Sequence, residues 1–238
     1  VTVALWYALV AGLGNVLGGV AVIRGLRLGL KVIEGLVAFG AGFMISVALV
    51  AILPEALALG GAGAAGFALL GYLLVHLSQH TATEHFHFGE ETHAVSPVAG
   101  ATALLGLLLH TFFDGVAIAS GFAVGTDLGI LVFLAILFHK LPEGVTIASL
   151  QVAVGRSPRM ALGSAGVLGV ATVAGVLVTD WVGFLAAHGL ALSAGVTMYV
   201  AASNLVPEFQ GKRGWRLPVA FFAGAGAFVL ARMMLWGG

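Results

Sequence analysis

His110-Thr-Phe-Phe-Asp114-Gly-Val-Ala-Ile-Ala-Ser120 and His139-Lys-Leu-Pro-Glu143-Gly-Val-Thr-Ile-Ala-Ser149 are two versions of one phrase, 29 residues apart, embedded in long apolar runs. Each places a histidine four residues before a carboxylate. On an α-helix, positions i and i+4 share a face, so each phrase offers an imidazole and a carboxylate to the same side. Two such faces brought together make a four-ligand cation site.

The surroundings of these phrases decide the fold. Of 238 residues, 60% are hydrophobic and 8% charged, against roughly 25% charged in ordinary soluble domains. One membrane crossing takes ~20 apolar residues, so about eight crossings use most of the chain. The sequence therefore specifies an all-α integral membrane protein forming one transmembrane domain over residues 1–238, embedded in a lipid bilayer with no separate soluble domain. The absence of cysteine excludes disulfides and thiolate metal sites. A net charge of zero gives no basic surface for nucleic acid. The many glycines suit helices that approach closely, as at Gly14-x-x-x-Gly18.

Breaks in hydrophobicity predict eight helices at about 2–23, 32–56, 62–79, 98–122, 128–154, 160–182, 189–210 and 216–236. The first lacks the basic flank of a signal peptide and is too long an apolar run for one. Arg24, Arg27 and Lys31 follow helix 1, Arg156 and Arg159 follow helix 5, and Lys212, Arg213 and Arg216 follow helix 7. The loops after helices 2, 4 and 6 hold no Lys or Arg. By the positive-inside rule the odd-numbered loops are cytoplasmic and both termini extracytoplasmic.

A second repeat lies outside the first. Helix 2 ends in a stretch from Ala41-Gly-Phe-Met44-Ile-Ser46 to Pro54-Glu55, and helix 7 echoes it from Ala194-Gly to Asn204-Leu-Val-Pro207-Glu208, the two Pro-Glu pairs being 153 residues apart. With the topology above, the copies cross the membrane in opposite directions. Inverted repeats of this kind belong to many secondary transporters, whose substrate site lies near the midplane. His110 and His139 fall about halfway along helices 4 and 5, which are likewise opposed. Pro142 removes a backbone donor and frees the carbonyl of Phe138, as suits a helix lining a polar path.

Imidazole nitrogen and carboxylate oxygen are ligands for Zn²⁺ and other first-row divalent ions. His110, Asp114, His139 and Glu143 are the expected metal ligands. Asp114 and Glu143 would neutralise the ion, and its binding would displace protons. A lone intramembrane histidine such as His76 or His188 is as readily a helix–helix hydrogen bonder, but a duplicated phrase on adjacent helices favours ligation. Gly115 and Gly144 read first as packing positions. Glu55 and Glu208 mark either helix ends or the mouths of a path, and Met44, Ser46 and Asn204 are weaker path-lining candidates. The loop 80–97, with His80, His85, His87 and His93, is either a plain solvated linker or a cytoplasmic metal-capture or sensing segment.

On these residues the sequence resembles the ZIP (Zrt/Irt-like) family of divalent metal transporters. The resemblance rests on His110-x-x-x-Asp114-Gly and His139-Lys-Leu-Pro-Glu143-Gly, supported by Pro54-Glu55, Pro207-Glu208 and the His-rich loop. It implies a 3+2+3 arrangement of helices, uptake of Zn²⁺ or related ions (Cd²⁺, Fe²⁺, Mn²⁺) into the cytoplasm, a homodimer, and a transport site made by His110, Asp114, His139 and Glu143. Some members hold two ions side by side using a further polar residue after each first ligand. Here those positions are Thr111 and Lys140. An ammonium cannot ligate and repels a second cation, so Lys140 is expected to replace the second ion and to pair with Asp114 or Glu143.

Transport by alternating access, with no catalytic residue or cofactor, is thus the leading expectation. The alternative is an intramembrane zinc-dependent hydrolase using the same ligands, against which stands the lack of a His-Glu-x-x-His segment. A membrane metal sensor built on the loop would lack an output domain. The Ala/Gly/Val/Leu-rich, short-looped composition points to a bacterial inner (plasma) membrane.

Overall fold

The computed structural model of the protein describes residues 2–25, 29–82 and 97–236. Among the described residues there is no strand, and eight helices are long and apolar enough to cross a membrane. They are α1 (Thr2–Ile23), α2 (Leu30–Val47, continuing through Ala48–Ile52 into Leu53–Gly60), α3 (Ala62–Ala82) and α4 (Pro97–Val124). Then come α5 (Thr126–Ala153), α6 (Pro158–Trp181), α7 (Gly183–Tyr199, continuing through Val200–Leu205 to Pro207–Gln210) and α8 (Arg216–Trp236). The largest difference from the sequence-based bounds is the start of α7, expected at 189 and found at Gly183. Residues 183–188 fall between the bounds expected for helices 6 and 7. In the fold, however, the His188 ring stacks on Phe67 of α3 with centroids 3.9 Å apart, and that packing carries the helix through them.

In α2 and α7 the spiral widens for one turn, at Ala48–Ile52 and Val200–Leu205. The N–H of Leu53 bonds back to the carbonyl of Ala48, and that of Val206 to Ala201, one residue further than in an α-helix. Each wide turn directly precedes a proline, Pro54 or Pro207. A proline has no N–H to donate and its ring crowds the carbonyl four residues back; a π turn relieves that crowding. The 153-residue repeat is therefore written in the backbone as well as in the side chains.

It is also written in the packing. A Cβ on Gly42 would strike the carbonyl oxygen of Phe221, and one on Gly195 that of Ala68. Gly71 faces the carbonyl of Leu192 in the same way, and Gly224 that of Phe39. The same shift that relates Pro54 to Pro207 turns each contact of these pairs into the other. In lipid, helix association rests on such close backbone approach because the hydrophobic drive between helices is lost.

These contacts sort the helices into two sets of four. In one set α8 packs on α2, α2 on α7 and α7 on α3; in the other α1, α4, α5 and α6 pack on one another. In the second set Gly144 faces the carbonyl of Asn15 and Gly115 that of Thr172, while Gly18 faces Leu141 and Gly175 faces Phe112. The 3+2+3 pattern implied by the resemblance describes order along the chain. In space α1 and α6 side with the central pair α4–α5, and the division is four and four.

Candidate metal site

The functional groups come from the middle of α4 and α5, two long helices in contact. Helical spacing puts His110 and Asp114 on one face of α4, and His139 and Glu143 on one face of α5. The two faces meet. One ligand atom from each of the four side chains lies within 4.8 Å of every other, and all four residues are buried.

Asp114 is the centre of the cluster. Its Oδ2 is 3.4 Å from Nε2 of His110, 3.3 Å from Nε2 of His139 and 2.6 Å from Nζ of Lys140. Lys140 is fully buried and reaches Oε2 of Glu143 at 2.6 Å as well. Thr111 donates its hydroxyl to Oε1 of Glu143. The expectation that Lys140 pairs with one carboxylate is thus extended, since it bridges both. The charge count changes with it. Two carboxylates and one ammonium leave the cluster one negative charge, rather than the two that the four ligands alone would give.

One of the two imidazoles is fixed in orientation by the backbone of its own helix. Nδ1 of His139 is 3.0 Å from the carbonyl oxygen of Ala135. A carbonyl only accepts, so Nδ1 carries a proton and points away, and Nε2 is the nitrogen turned to the site. In the neutral ring, Nε2 and the Asp114 oxygen are then two acceptors at 3.3 Å. A cation between them, or a proton on the ring, resolves that contact. The His110 and His139 rings lie 5.4 Å apart, centroid to centroid.

The other sequence-derived candidates are spread along the bundle. Met44 is buried in the core. Ser46 donates to the carbonyl of Gly42 at 2.9 Å and lines a groove of about 600 Å³ between α2 and α8 with Ala225 and Phe228. Glu55 lines a cavity of about 290 Å³ with Asp127 of α5 and Arg232 of α8. Asn204 is half-buried in the wide turn of α7, and Glu208 lies just beyond Pro207. His80 is on α3 without a described side chain, and His85, His87 and His93 lie outside the described residues.

Sequence reasoning passed over three features. Asp127 and Arg232 join Glu55 only because the ends of three helices converge. The buried Gln151 donates to the carbonyl of Gly100 at 3.1 Å, tying α5 to the start of α4. The third is Asn15 of α1, which is fully buried, with neither amide atom hydrogen-bonded. At the end of the bundle that carries the basic residues, Glu34 binds Lys212 at 2.9 Å and Arg216 at 2.8 Å.

Eight apolar helices around a buried His–carboxylate cluster define a multi-pass integral membrane protein with a divalent-metal donor set. Comparison with known proteins gives the family. Residues 74–232 match the model of the ZIP zinc transporter family, and the chain belongs to that family. It is 28% identical over 157 residues to zinc transporter ZIP9-A of Xenopus laevis, covering 60% of this chain and 52% of that protein. It is 32% identical over 130 residues to zinc transporter SLC39A7 of Rattus norvegicus, covering 50% of this chain and 28% of that protein. The chain spans about half the length, or less, of these curated relatives.

Proposed function

We propose that this chain carries divalent transition-metal ions, Zn²⁺ foremost, across the membrane through a single-ion site made by His110, Asp114, His139 and Glu143. The observation that carries the reading is the convergence of those four buried side chains from two adjacent helices inside an eight-helix apolar bundle. Family membership and the zinc-transporter names of the relatives above support the same substrate class.

The nitrogen–oxygen donor set can replace the water shell of a first-row divalent ion. Lys140 takes the place of a second ion: its ammonium is tethered beside Asp114 and Glu143, where its charge repels a second cation, and Thr111 holds the far oxygen of Glu143. The ion enters from outside past Glu55 and leaves past Glu208 toward the cytoplasmic His-rich loop, by alternating access of the inverted repeats. Met44, Ser46 and Asn204 are retained as wall residues of that path, and the working unit is a homodimer. The composition supports a bacterial inner membrane, a placement to which the frog and rat relatives lend nothing.

The hydrolase alternative gains no support. Both relatives described above are named zinc transporters, and the histidine–carboxylate groups of the cluster are all used as ligands. Competition uptake into proteoliposomes, with Zn²⁺ against Cd²⁺, Fe²⁺ and Mn²⁺, tests the reading and ranks the substrates. Vesicles that accumulate none of the four would end it.

A further inference from the structure

Among the described residues outside the metal cluster, three buried polar side chains lack a hydrogen-bond partner, Asn15, Ser120 and Ser193, and Asn15 is the one amide, with both its polar atoms unpaired. Its carboxamide is fully buried, and neither its oxygen nor its nitrogen has a hydrogen-bond partner. Buried amides without partners are rare because each lost hydrogen bond to water goes unreplaced. On the same set of helices the Ser120 hydroxyl is also buried without a partner, whereas the buried glutamine and threonine side chains are satisfied. Thr172 and Thr179 bond to their own helix, and Gln151 to Gly100.

Its position is specific. α1 crosses α5 at the level of the metal cluster, close enough that a Cβ on Gly14 would lie 2.9 Å from Cβ of Lys140. One turn along α5, Gly144 rests against the backbone of Asn15 itself. The side chain of Lys140 therefore leaves α5 beside Gly14, the residue next to Asn15.

Lys140 has a problem that only ion binding creates. Its ammonium sits 2.6 Å from Asp114 Oδ2 and 2.6 Å from Glu143 Oε2, oxygens of the two carboxylates that a divalent ion would take. A cation that takes them competes with the ammonium and repels it. Water cannot receive the displaced charge, because Lys140 is fully buried. Thr111 is already committed as a donor to Glu143, and its oxygen is 3.5 Å from Nζ, at the limit of a hydrogen bond. An amide oxygen is a neutral acceptor that can hold an ammonium without neutralising it.

We propose that Asn15 is the receiving partner of Lys140: when the metal ion takes Asp114 and Glu143, the Lys140 ammonium moves to the Asn15 carboxamide. Asn15 is then a positioning residue, acting on ion affinity through Lys140, and it ties the state of the site to the α1–α5 contact. This inference rests on the single-ion reading above.

The test is a double-mutant cycle on the full purified chain, with Zn²⁺ affinity measured calorimetrically at fixed pH and unfolding temperature measured in zinc-free buffer. Asn15→Leu and Asn15→Ala are made in the native background and in Lys140→Met, with Asp114→Asn as control. With Lys140 present, loss of the amide is expected to weaken Zn²⁺ binding about tenfold, the effect of removing one hydrogen bond to a charged group. In Lys140→Met the same changes should alter affinity less than about twofold. The zinc-free unfolding temperature of Asn15→Leu should not fall, because no partner is lost in that state. An unchanged affinity, or an equal loss with and without Lys140, would overturn the proposal; the equal loss would make Asn15 a direct ligand or a packing residue. Should Asp114→Asn leave Zn²⁺ affinity intact, the site reading itself fails. If that control weakens binding while Asn15→Leu does not, only the present inference fails.

Discussion

The ammonium of Lys140 on α5 lies 2.6 Å from Oδ2 of Asp114 on α4, the same oxygen that both imidazoles approach. Breaking a buried pair of this kind by removing one partner leaves an uncompensated charge. On the single-ion reading proposed above, an arriving ion takes over the carboxylates from this tethered cation, and metal affinity then depends on how readily the cation lets go.

Stoichiometry follows from this relationship. The native chain should bind one Zn²⁺ between α4 and α5. Replacing Thr111 by Asn and Lys140 by Asp supplies two oxygen ligands and removes the repelling charge, and the double variant should bind two. Calorimetric stoichiometry, or anomalous scattering from zinc-soaked crystals, reads the count directly. Two adjacent ions in the native protein would refute the role given to Lys140.

The two histidines should prove equivalent as ligands. His110→Ala and His139→Ala each remove one nitrogen from a four-ligand set and should lower Zn²⁺ affinity at least about tenfold, since changes to ligand support alone cost that much at metal sites. Equilibrium dialysis against a zinc-sensitive dye checks this, and an unaffected variant would remove that residue from the site.

Protons should compete with the ion. Imidazoles must be neutral and carboxylates ionised to ligate, so binding releases protons and affinity is greatest at high pH. Lowering the pH from about 8 to about 5 should weaken binding progressively, as the ligands are occupied by protons. An affinity that stays flat across that window contradicts ligation by these groups.

The packing repeat predicts matched defects. Gly42→Val and Gly195→Val both drive a side chain into a facing backbone carbonyl, of Phe221 and Ala68 respectively. Each should destabilise the bundle by about 1–3 kcal/mol or more. Gly226→Ala, whose added Cβ meets nothing within 4 Å, should be neutral or should stabilise by about 0.5–1 kcal/mol, because it restricts the unfolded chain. Thermal unfolding in detergent separates the two outcomes.

Much of this arrangement was legible in the sequence because the deciding signals are local. The i and i+4 spacing in His110–Asp114 and His139–Glu143 fixes a shared helical face before any tertiary contact is known. The Pro54 and Pro207 positions likewise mark where two helices must depart from regular geometry. What could not be read depends on which helix faces which. From the sequence Lys140 is expected to pair with Asp114 or Glu143, and that it bridges both shows only once α4 and α5 are brought face to face. Nothing local in the sequence of α1 tells that it crosses α5 with Gly14 and Asn15 beside Lys140 and Gly144. The early start of α7 was hidden because residues 183–188 follow the break in hydrophobicity after helix 6, and the His188 ring finds its stacking partner, Phe67, on a distant helix. The four-and-four grouping rests on glycine–carbonyl approaches whose partners lie far apart in the chain.

The central claim is that the α4–α5 cluster is the route of the ion. Uptake of radioactive zinc into proteoliposomes holding equal amounts of native protein, His110→Ala or Asp114→Ala tests it most directly. The account predicts saturable uptake by the native protein and near-background uptake by both variants, with all three proteins eluting as the same folded species. Native-like uptake by Asp114→Ala would contradict it.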